Sequence, residues 1–438
     1  MPRQTVYVSI HLDSGAPLPA SSPSLVSLFT GAGGLDIGLE QAGFCTVAAV
    51  ECDDDCVQTL HANQKAMHPL SGDECLLSQA KIVAKGIESV GRDDLVPPRA
   101  KRDWVPDLLA GGPPCQPFSS SGKMLSVDDP RGRLFEHFVR LAGELKPRLI
   151  LFENVRGLVT ARGPNGEPGE VVLMIKEAFE SLGYATSFRL LNAADYGCPQ
   201  RRVRLFMLAS RVGAPPEFPE ATHGLSAGKT LFGSKLPWVT LGQFLQEHPP
   251  IQEEEELVRP SPVLAGQLAD LPEGRGLKSA GARETTRPGG HWGYRQGTFI
   301  ADRTLPARTV TASASQDWLR LPDGSLRRLA MRECASLQGF PHEWVFQGSI
   351  ASRFRQIGNA VPAIFGRVLG ISCREALRRK CQSPGLSVPL PPEFEQAVAY
   401  TRKEHNRNGA SRRRVLELQR KGATDLRGLK GLGVTGGN

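Results

Sequence analysis

The chain has 438 residues, 40% of them hydrophobic and 22% charged, an ordinary globular composition with room for two or three domains, which excludes a disordered or low-complexity protein. Its formal charge of +8 is uneven, because from Arg402 onward ten Lys/Arg stand against three Asp/Glu, so the tail carries +7 and the body is nearly neutral; the tail suits nucleic acid, and the body's charge points to no partner. No charged leader precedes an apolar stretch and no run of 18 apolar residues occurs, so neither secretion nor membrane spanning is expected, and a soluble cytoplasmic protein is.

Residues 1–24 hold one short alternating run, Val6 to Ile10, followed by a Ser/Ala/Pro/Gly stretch that reads as a linker. From Leu25 the pattern SLVSLFTGAGGLDIGLEQAG reads strand, glycine turn, helix, and the apolar run Thr46 to Val50 then ends at Glu51, a βαβ opening. Glycines 31, 33 and 34 between strand and helix let a ligand approach the backbone where the helix N-terminus presents free N–H groups. Their spacing falls short of the full dinucleotide pattern. Glu51, at the end of the next strand, is positioned to accept hydrogen bonds from ribose hydroxyls, which points to an adenosine-containing cofactor. Asp73, in SGDECLL, is the next acid in a loop and a candidate for an adenine amino group. Cys45, Cys52, Cys56 and Cys75 are the only loose cluster among nine cysteines; lacking the two tight pairs of a zinc site, they predict reduced thiols and no metal.

Leu108 to Ala110 forms a short strand candidate that runs straight into GGPPCQPFSSSGK. Prolines 113, 114 and 117 fix φ and remove donors while Gly111 and Gly112 permit tight turning, so Cys115 lies in a shaped loop at a strand end. A thiol there is reachable, and Lys123, Arg131 and Arg133 downstream favour the ionised form that a nucleophile needs. After a helix pattern over 134–145, the strand Leu149 to Phe152 leads into Glu153-Asn154-Val155. This puts a carboxyl at the same sheet edge as Cys115, where half-burial favours its protonated form. A helix pattern over 171–182 precedes QRRVR, residues 200–204, which opens the strand Val203 to Leu208 with Gln200, Arg202 and Arg204 on one face. Two guanidiniums beside a thiol and a carboxyl suit an anionic or carbonyl-bearing substrate.

From about 211 to 305 the chain is rich in Pro and Gly, carries the acidic run Glu253 to Glu256 and has no sustained period, which predicts a second, irregular domain. Helical pattern resumes at Met331 to Leu337 and again at Ala363 to Lys380. The alternation of strands and helices before residue 211 predicts a mostly parallel sheet.

Taken in order, FTGAGG, Glu51, GGPPCQPFS, RGRLF, FENV, DYGCPQRRVR, RRLAMRECASLQGFP and RQIGNAVP span residues 29 to 362, roughly three quarters of the chain, and resemble the motifs of the DNA (cytosine-5) methyltransferase family. The resemblance implies an α/β, Rossmann-like S-adenosylmethionine-dependent methyltransferase fold, a mostly parallel doubly wound sheet with a second, smaller irregular target-recognition domain. It divides the chain into an N-terminal extension (1–24), a catalytic and cofactor-binding domain (25–211), a target-recognition domain (212–326), a return segment completing the catalytic domain (327–385) and a basic tail (386–438).

The implied reaction moves a methyl group from S-adenosylmethionine to carbon 5 of a cytosine flipped out of duplex DNA. Cys115 would add to carbon 6, Glu153 would assist at ring nitrogen 3, Arg204 would hold the cytosine carbonyl, and Arg202 would help position base and loop. Carried over by motif, the cofactor residues are Phe29, Gly31, Gly33, Gly34, Glu51, Cys52, Asp73, Pro113, Leu134, Asn359 and Val361, and the substrate contacts are Gln116, Ser119, Asn154 and Gln200. Cys52 departs from the family, which often has a bulky side chain there to stack on adenine. In the recognition region His291, Trp292, Tyr294, Arg295, Gln296 and Arg308 are candidates for base or phosphate contact, and Thr309-Val310-Thr311 resembles a short family segment. The implied partners are double-stranded DNA and a cognate restriction endonuclease, with the enzyme a monomer. Transfer to a tRNA cytosine and a catalytically dead DNA-binding protein are the alternatives.

Overall fold

A computed structural model describes residues 22–64, 76–114, 134–225, 228–230, 233–248, 251, 257–277, 298–379 and 385–403. Val6 to Ile10, Asp73, Cys115, Gln116, Ser119, Lys123, Arg131, Arg133, Glu253 to Glu256, the five candidates between His291 and Gln296, and everything beyond Lys403 lie outside the described residues.

Strands β1 (Ser24–Leu28), β2 (Cys45–Glu51), β3 (Lys81–Ala84), β4 (Leu108–Gly111), β5 (Leu149–Val155), β6 (Ala185–Asn192) and β7 (Val203–Ser210) form one seven-stranded sheet in the order β3-β2-β1-β4-β5-β7-β6. The neighbours from β3 to β5 run parallel, and β7 alone runs antiparallel, to both β5 and β6. Helices α1 (Gly34–Gln41), α2 (Asp54–Gln64), α3 (Arg92–Leu95), α4 (Leu134–Leu145) and α5 (Glu170–Ser181) lie between the strands. This is the doubly wound α/β architecture that the alternating pattern predicts. Both faces of the central strands are buried, which explains their near-continuous apolar runs. On one face Val26, Leu28, Phe138, Phe152 and Phe179 share a cluster, with Phe138 and Phe152 meeting edge to face at 5.4 Å. On the other, Leu25, Leu151 and Phe206 pack with Phe365.

Strands β3 and β6 leave no clear signal in the sequence. Both stand at sheet edges, and the exposed Lys81, Ala84 and Arg189 interrupt their apolar pattern.

The region from 212 to 326 carries a three-stranded sheet of β8 (His223–Gly224), β9 (Gly228–Thr230) and β10 (Gly233–Pro237), and helices α6 (Leu241–Glu247) and α7 (Pro262–Leu268). Thr240 caps α6, its side chain accepting from the Gln243 backbone N–H, and Ser261 caps α7 with Pro262 at its first position. A four-stranded sheet comes next, β11 (Arg275–Gly276), β12 (Phe299–Ile300), β13 (Trp318–Arg320) and β14 (Leu326–Arg328), closed over Ile300, Trp318 and Leu268.

The chain then returns to the large sheet through α8 (Met331–Leu337), α9 (Ile350–Asn359) and α10 (Ala363–Arg378). Helix α10 packs on α1 at backbone contact. A Cβ on Gly38 would collide with the Ala363 carbonyl, and one on Gly366 with that of Leu35. Residues 386–403, expected as part of a basic tail, instead dock on the first domain. The Val388 N–H donates to the Thr186 carbonyl at 2.8 Å, the Ser387 hydroxyl accepts from the Thr186 N–H, and helix α11 (392–403) buries Phe394 in the α4/α5 cluster with Leu390 and Ala397 against it. Phe394 and Ala397 share one face of the helix and Leu390 packs beside them from the segment before it, an apolar pattern that the prolines before the helix and the basic run after it obscured. No helix among the described residues is long and apolar enough to cross a membrane.

Candidate active site at the carboxyl ends of the strands

Strand order reverses between β1 and β4, and in open α/β sheets such a switch point opens a crevice at the carboxyl ends of the strands. The β1–α1 turn lines this crevice, with Phe29, Gly31 and Gly33 at φ 56°, 58° and 87°. The last two need glycine's freedom. Gly31 donates its N–H to Glu51 Oε2 at 2.7 Å, while Oε1 accepts from the Cys52 and Asp53 N–H groups at 2.7 and 2.8 Å. Glu51, a half-buried residue, therefore ties the turn to the end of β2, and its two oxygens have lone pairs beyond those three bonds for a ligand. Among the described residues a Cβ on Gly31 would meet nothing within 4 Å, so they leave the backbone there open. At Gly34 a Cβ would stand 2.6 Å from the Val361 carbonyl oxygen, so the absence of a side chain here admits the return segment. The return segment brings Asn359, exposed at the end of α9, and half-buried Val361 to the same turn. Phe29 and Leu134 both pack against the cluster beneath the crevice. Cys52 is exposed, and partial burial, reinforced by Glu51, pushes its thiol up and keeps it neutral.

On the other side of β1, its neighbour β4 delivers the approach to Cys115. A Cβ on Gly111 would collide with the Leu28 carbonyl, and one on Gly112 with Oε2 of Glu153. The doubled glycine thus admits β1 on one side and a carboxyl on the other, a requirement that the pair of glycines before two prolines already signals in the sequence. Glu153, at the end of β5, is buried, and its Oε1 lies 3.1 Å from Arg204 Nε on the neighbouring β7. Burial pushes the Glu153 carboxyl up, against the pull of Arg204 and, more weakly, Arg202. A buried carboxyl of this kind, paired through one oxygen, can hold a proton on the other.

The remaining motif residues serve assembly. Asn154, expected at the substrate, donates from Nδ2 to the Pro113 carbonyl at 3.2 Å and accepts from the Val155 N–H at 2.9 Å, fixing the approach to Cys115. Pro113 is correspondingly buried. Gln200, also expected at the substrate, is fully buried. It donates to the Leu337 carbonyl and to Gln338 Oε1, and accepts from the Val310 N–H at 2.9 Å. Arg202, expected to position the base, is 1% exposed and donates to the carbonyls of Val310, Gly358 and Ala360 at 2.9, 2.7 and 2.9 Å. The physical reason is that β7 begins only at Val203. Residues 200–202 precede it, and there the chain pairs with Ala307 while the return segment takes up the Gln200 and Arg202 side chains. Gln338, which lies within the RRLAMRECASLQGFP motif but has no expected role there, extends the network by donating to the carbonyls of Ile357 and Ala360. Arg308, a recognition candidate, lies 4.2 Å from the centroid of the Phe299 ring and pairs with Asp317 at 3.2 Å, so it braces its own sheet.

A sequence model described as C-5 cytosine-specific DNA methylase matches residues 24–373. Among relatives, the type II methyltransferase M.XorII of Xanthomonas oryzae pv. oryzae is 32% identical over 415 residues, covering 84% of this chain and 88% of that one. M.Eco47II of Escherichia coli is 34% identical over 362 residues, covering 80% and 78%, and M.AquIA of Picosynechococcus sp. is 38% identical over 235 residues, covering 52% and 89%. The solved structure of the Entamoeba histolytica methyltransferase EhMeth superposes with a TM-score of 0.56 at 16% identity, covering 82% of this chain and all (100%) of that one. Spodoptera frugiperda DNMT2 gives 0.55 at 17%, covering 81% and 100%. At such identities the structural likeness speaks for the fold, and membership rests on the sequence match. With 350 consecutive residues inside the family's span, the chain belongs to the C-5 cytosine-specific DNA methylase family.

Proposed function

We propose that this enzyme methylates carbon 5 of a cytosine within a specific duplex DNA sequence by covalent catalysis, with Cys115 as nucleophile and Glu153 as its acid partner. The observation that carries the assignment is the buried Glu153–Arg204 pair at the sheet edge, with Glu153 against Gly112, three residues before Cys115. The family's methyl donor is S-adenosylmethionine, and the backbone that the described residues leave open at Gly31, the half-buried Glu51 and the exposed Asn359 at the switch point suit its adenosine portion. Phe29, Gly31, Gly33, Glu51, Cys52, Leu134, Asn359 and Val361 would hold it, with Asp73 at the adenine. When bound it supplies an electrophilic methyl group.

The chain's own residues then act on the base. Cytosine must leave the stack, at a cost of a few kcal/mol. The Cys115 thiolate bonds to carbon 6 and opens the 5,6 double bond, while Glu153 protonates or hydrogen-bonds ring nitrogen 3 and so spreads the charge that the attack creates. Arg204 holds the carbonyl oxygen. Carbon 5, now electron-rich, takes the methyl group; loss of its proton and departure of Cys115 restore the double bond. Asn154 positions the loop through Pro113, and Arg202 holds the return segment. In this reading residues 25–211 and 327–385 form the catalytic domain and 212–326 read the target. The type II relatives support a place in a restriction-modification system beside an endonuclease of the same specificity.

Incubation with labelled S-adenosylmethionine and duplex DNA tests the reading. Wild type transfers label, Cys115→Ser does not, and a 5-fluorocytosine duplex traps a covalent adduct with wild type only. Equal transfer by Cys115→Ser would overturn it.

A further inference from the structure

Helix α1 begins at the crevice and carries Glu40 in its last turn, a half-buried residue that the reaction does not use. Its Oε2 accepts from the Leu77 N–H at 2.8 Å and its Oε1 from the Thr46 N–H at 3.3 Å. Leu77 lies in a turn between α2 and β3, and its φ of 58° is a left-handed conformation that a leucine rarely adopts. Side chains hold it from both directions, Glu40 at the N–H and Gln64 of α2 donating to its carbonyl at 2.8 Å. Leu77 is 1% exposed, and its side chain supports the glycine turn. A Cβ on Gly33 would stand 3.6 Å from Leu77 Cδ1, next to Leu60 Cδ2 at 3.3 Å and Trp344 Cζ2 at 3.4 Å. We propose that Glu40 is a positioning residue for the methyl donor: by holding Leu77 in its left-handed conformation it fixes the floor under Gly33, so that a carboxyl at the far end of α1 governs how tightly the β1–α1 turn binds S-adenosylmethionine. The inference rests on reading that turn as the cofactor site.

The hold depends on charge. An ionised carboxyl only accepts, and so serves both N–H groups, whereas protonation turns one oxygen into a donor that faces a donor. Desolvation pushes the Glu40 carboxyl up to about 7, the bonds from Leu77 and Thr46 offsetting part of the rise and the Asp36 charge adding to it. The titratable groups around it are Asp36 one turn earlier on α1, Cys45 at the start of β2, His61 on α2, bonded to Gln64, and Arg367 and Arg374 on α10, which packs along α1. Arg374 donates to the Ala42 carbonyl at 2.6 Å, and of these groups Asp36 acts on the Glu40 charge. The grip on Leu77 therefore tightens as pH rises through about 7 and slackens below it.

The test is calorimetric titration of S-adenosylhomocysteine, which has no methyl group to transfer, into full-length wild type, Glu40→Gln and Asp36→Asn between pH 6 and pH 8. The ligand's own ionisation is common to all three. Wild type should bind up to about tenfold more weakly at pH 6 than at pH 8, the ratio of ionised fractions for a group titrating near 7. Glu40→Gln should lose that dependence and bind several-fold more weakly than wild type at pH 8. Asp36→Asn should keep it with the midpoint moved to lower pH, because a like charge is gone. Duplex affinity, measured by anisotropy, should stay near wild type in both variants. A flat wild-type profile overturns the proposal without need of a variant, and a Glu40→Gln profile parallel to wild type overturns it too. A loss in Glu40→Gln that falls equally on S-adenosylhomocysteine and duplex binding also overturns it, since that marks a weakened fold. Wild type that binds no S-adenosylhomocysteine at any pH would overturn the reading of the crevice itself, a result distinct from binding that ignores pH.

Discussion

Arg202 and Arg204 stand two residues apart in one motif, and the structure gives them opposite work, which a pair of substitutions separates. Arg202→Met keeps the aliphatic stem and removes the donors to the carbonyls of Val310, Gly358 and Ala360. Ala360 retains a 3.2 Å bond from Gln338, but the other two carbonyls lose the guanidinium. A buried acceptor left without its donor costs about 1–3 kcal/mol, and bonds from a charged donor lie at the upper end. The expected loss is about 3–6 kcal/mol, a large share of the roughly 5–15 kcal/mol that holds a domain folded. Arg204→Met removes the partner of Glu153, yet burial already favours the neutral carboxyl, so the unpaired charge is avoided and the expected loss is about 1–2 kcal/mol. Urea unfolding followed by fluorescence, with methyl transfer measured on the folded fraction, distinguishes the two. Arg202→Met should unfold at markedly lower urea, and Arg204→Met should keep a near-wild-type midpoint while transfer falls by about 10² or more. A wild-type midpoint for Arg202→Met together with abolished transfer would refute the bracing role and return Arg202 to the substrate.

Two further outcomes are expected from buried carboxyls. Gly112→Ala inserts a methyl where Oε2 of Glu153 lies, so the carboxyl must swing away; transfer should drop by about 10²-fold, the scale of a misplaced general acid, while DNA binding by anisotropy stays near wild type, and full activity would sink the assigned geometry. Asp36 in the first turn of α1 is 1% exposed and neither carboxyl oxygen reaches a hydrogen-bond partner among the described residues. Burial pushes its carboxyl up from 3.8 to about 6, with the nearby Ser27 hydroxyl only partly offsetting this. Since the folded state favours the protonated form, this contribution to stability is complete below about pH 4 and is lost as pH rises through about 6. At 1.36 kcal/mol per pH unit the loss is about 3 kcal/mol. Asp36→Asn should flatten the stability profile between pH 4 and 7 and exceed wild type in urea midpoint at pH 8; parallel profiles would contradict a buried, titrating Asp36.

The sequence by itself determined the family and the class of fold, and it named the groups proposed to carry the chemistry. Glycines in a strand-to-helix turn, a cysteine between prolines and a carboxyl at a strand end are each demanded by local geometry, so their roles are legible without the rest of the molecule. The apolar runs of β1, β4, β5 and β7 are likewise legible because both sheet faces are buried. Edge strands β3 and β6, and helix α11 behind its prolines, lacked that signal. Only the tertiary structure decided which polar motif residues meet the crevice and which hold the chain together. Gln200, Arg202, Asn154 and Arg308 have the same donors whether they face a base or a carbonyl, and in the fold most of their partners lie from 9 to more than 150 residues away. A side chain's hydrogen-bonding capacity is local, but its partner is set by packing. That is why the sequence names the reaction, and the folded return of residues 298–403 decides which residues are left free to perform it.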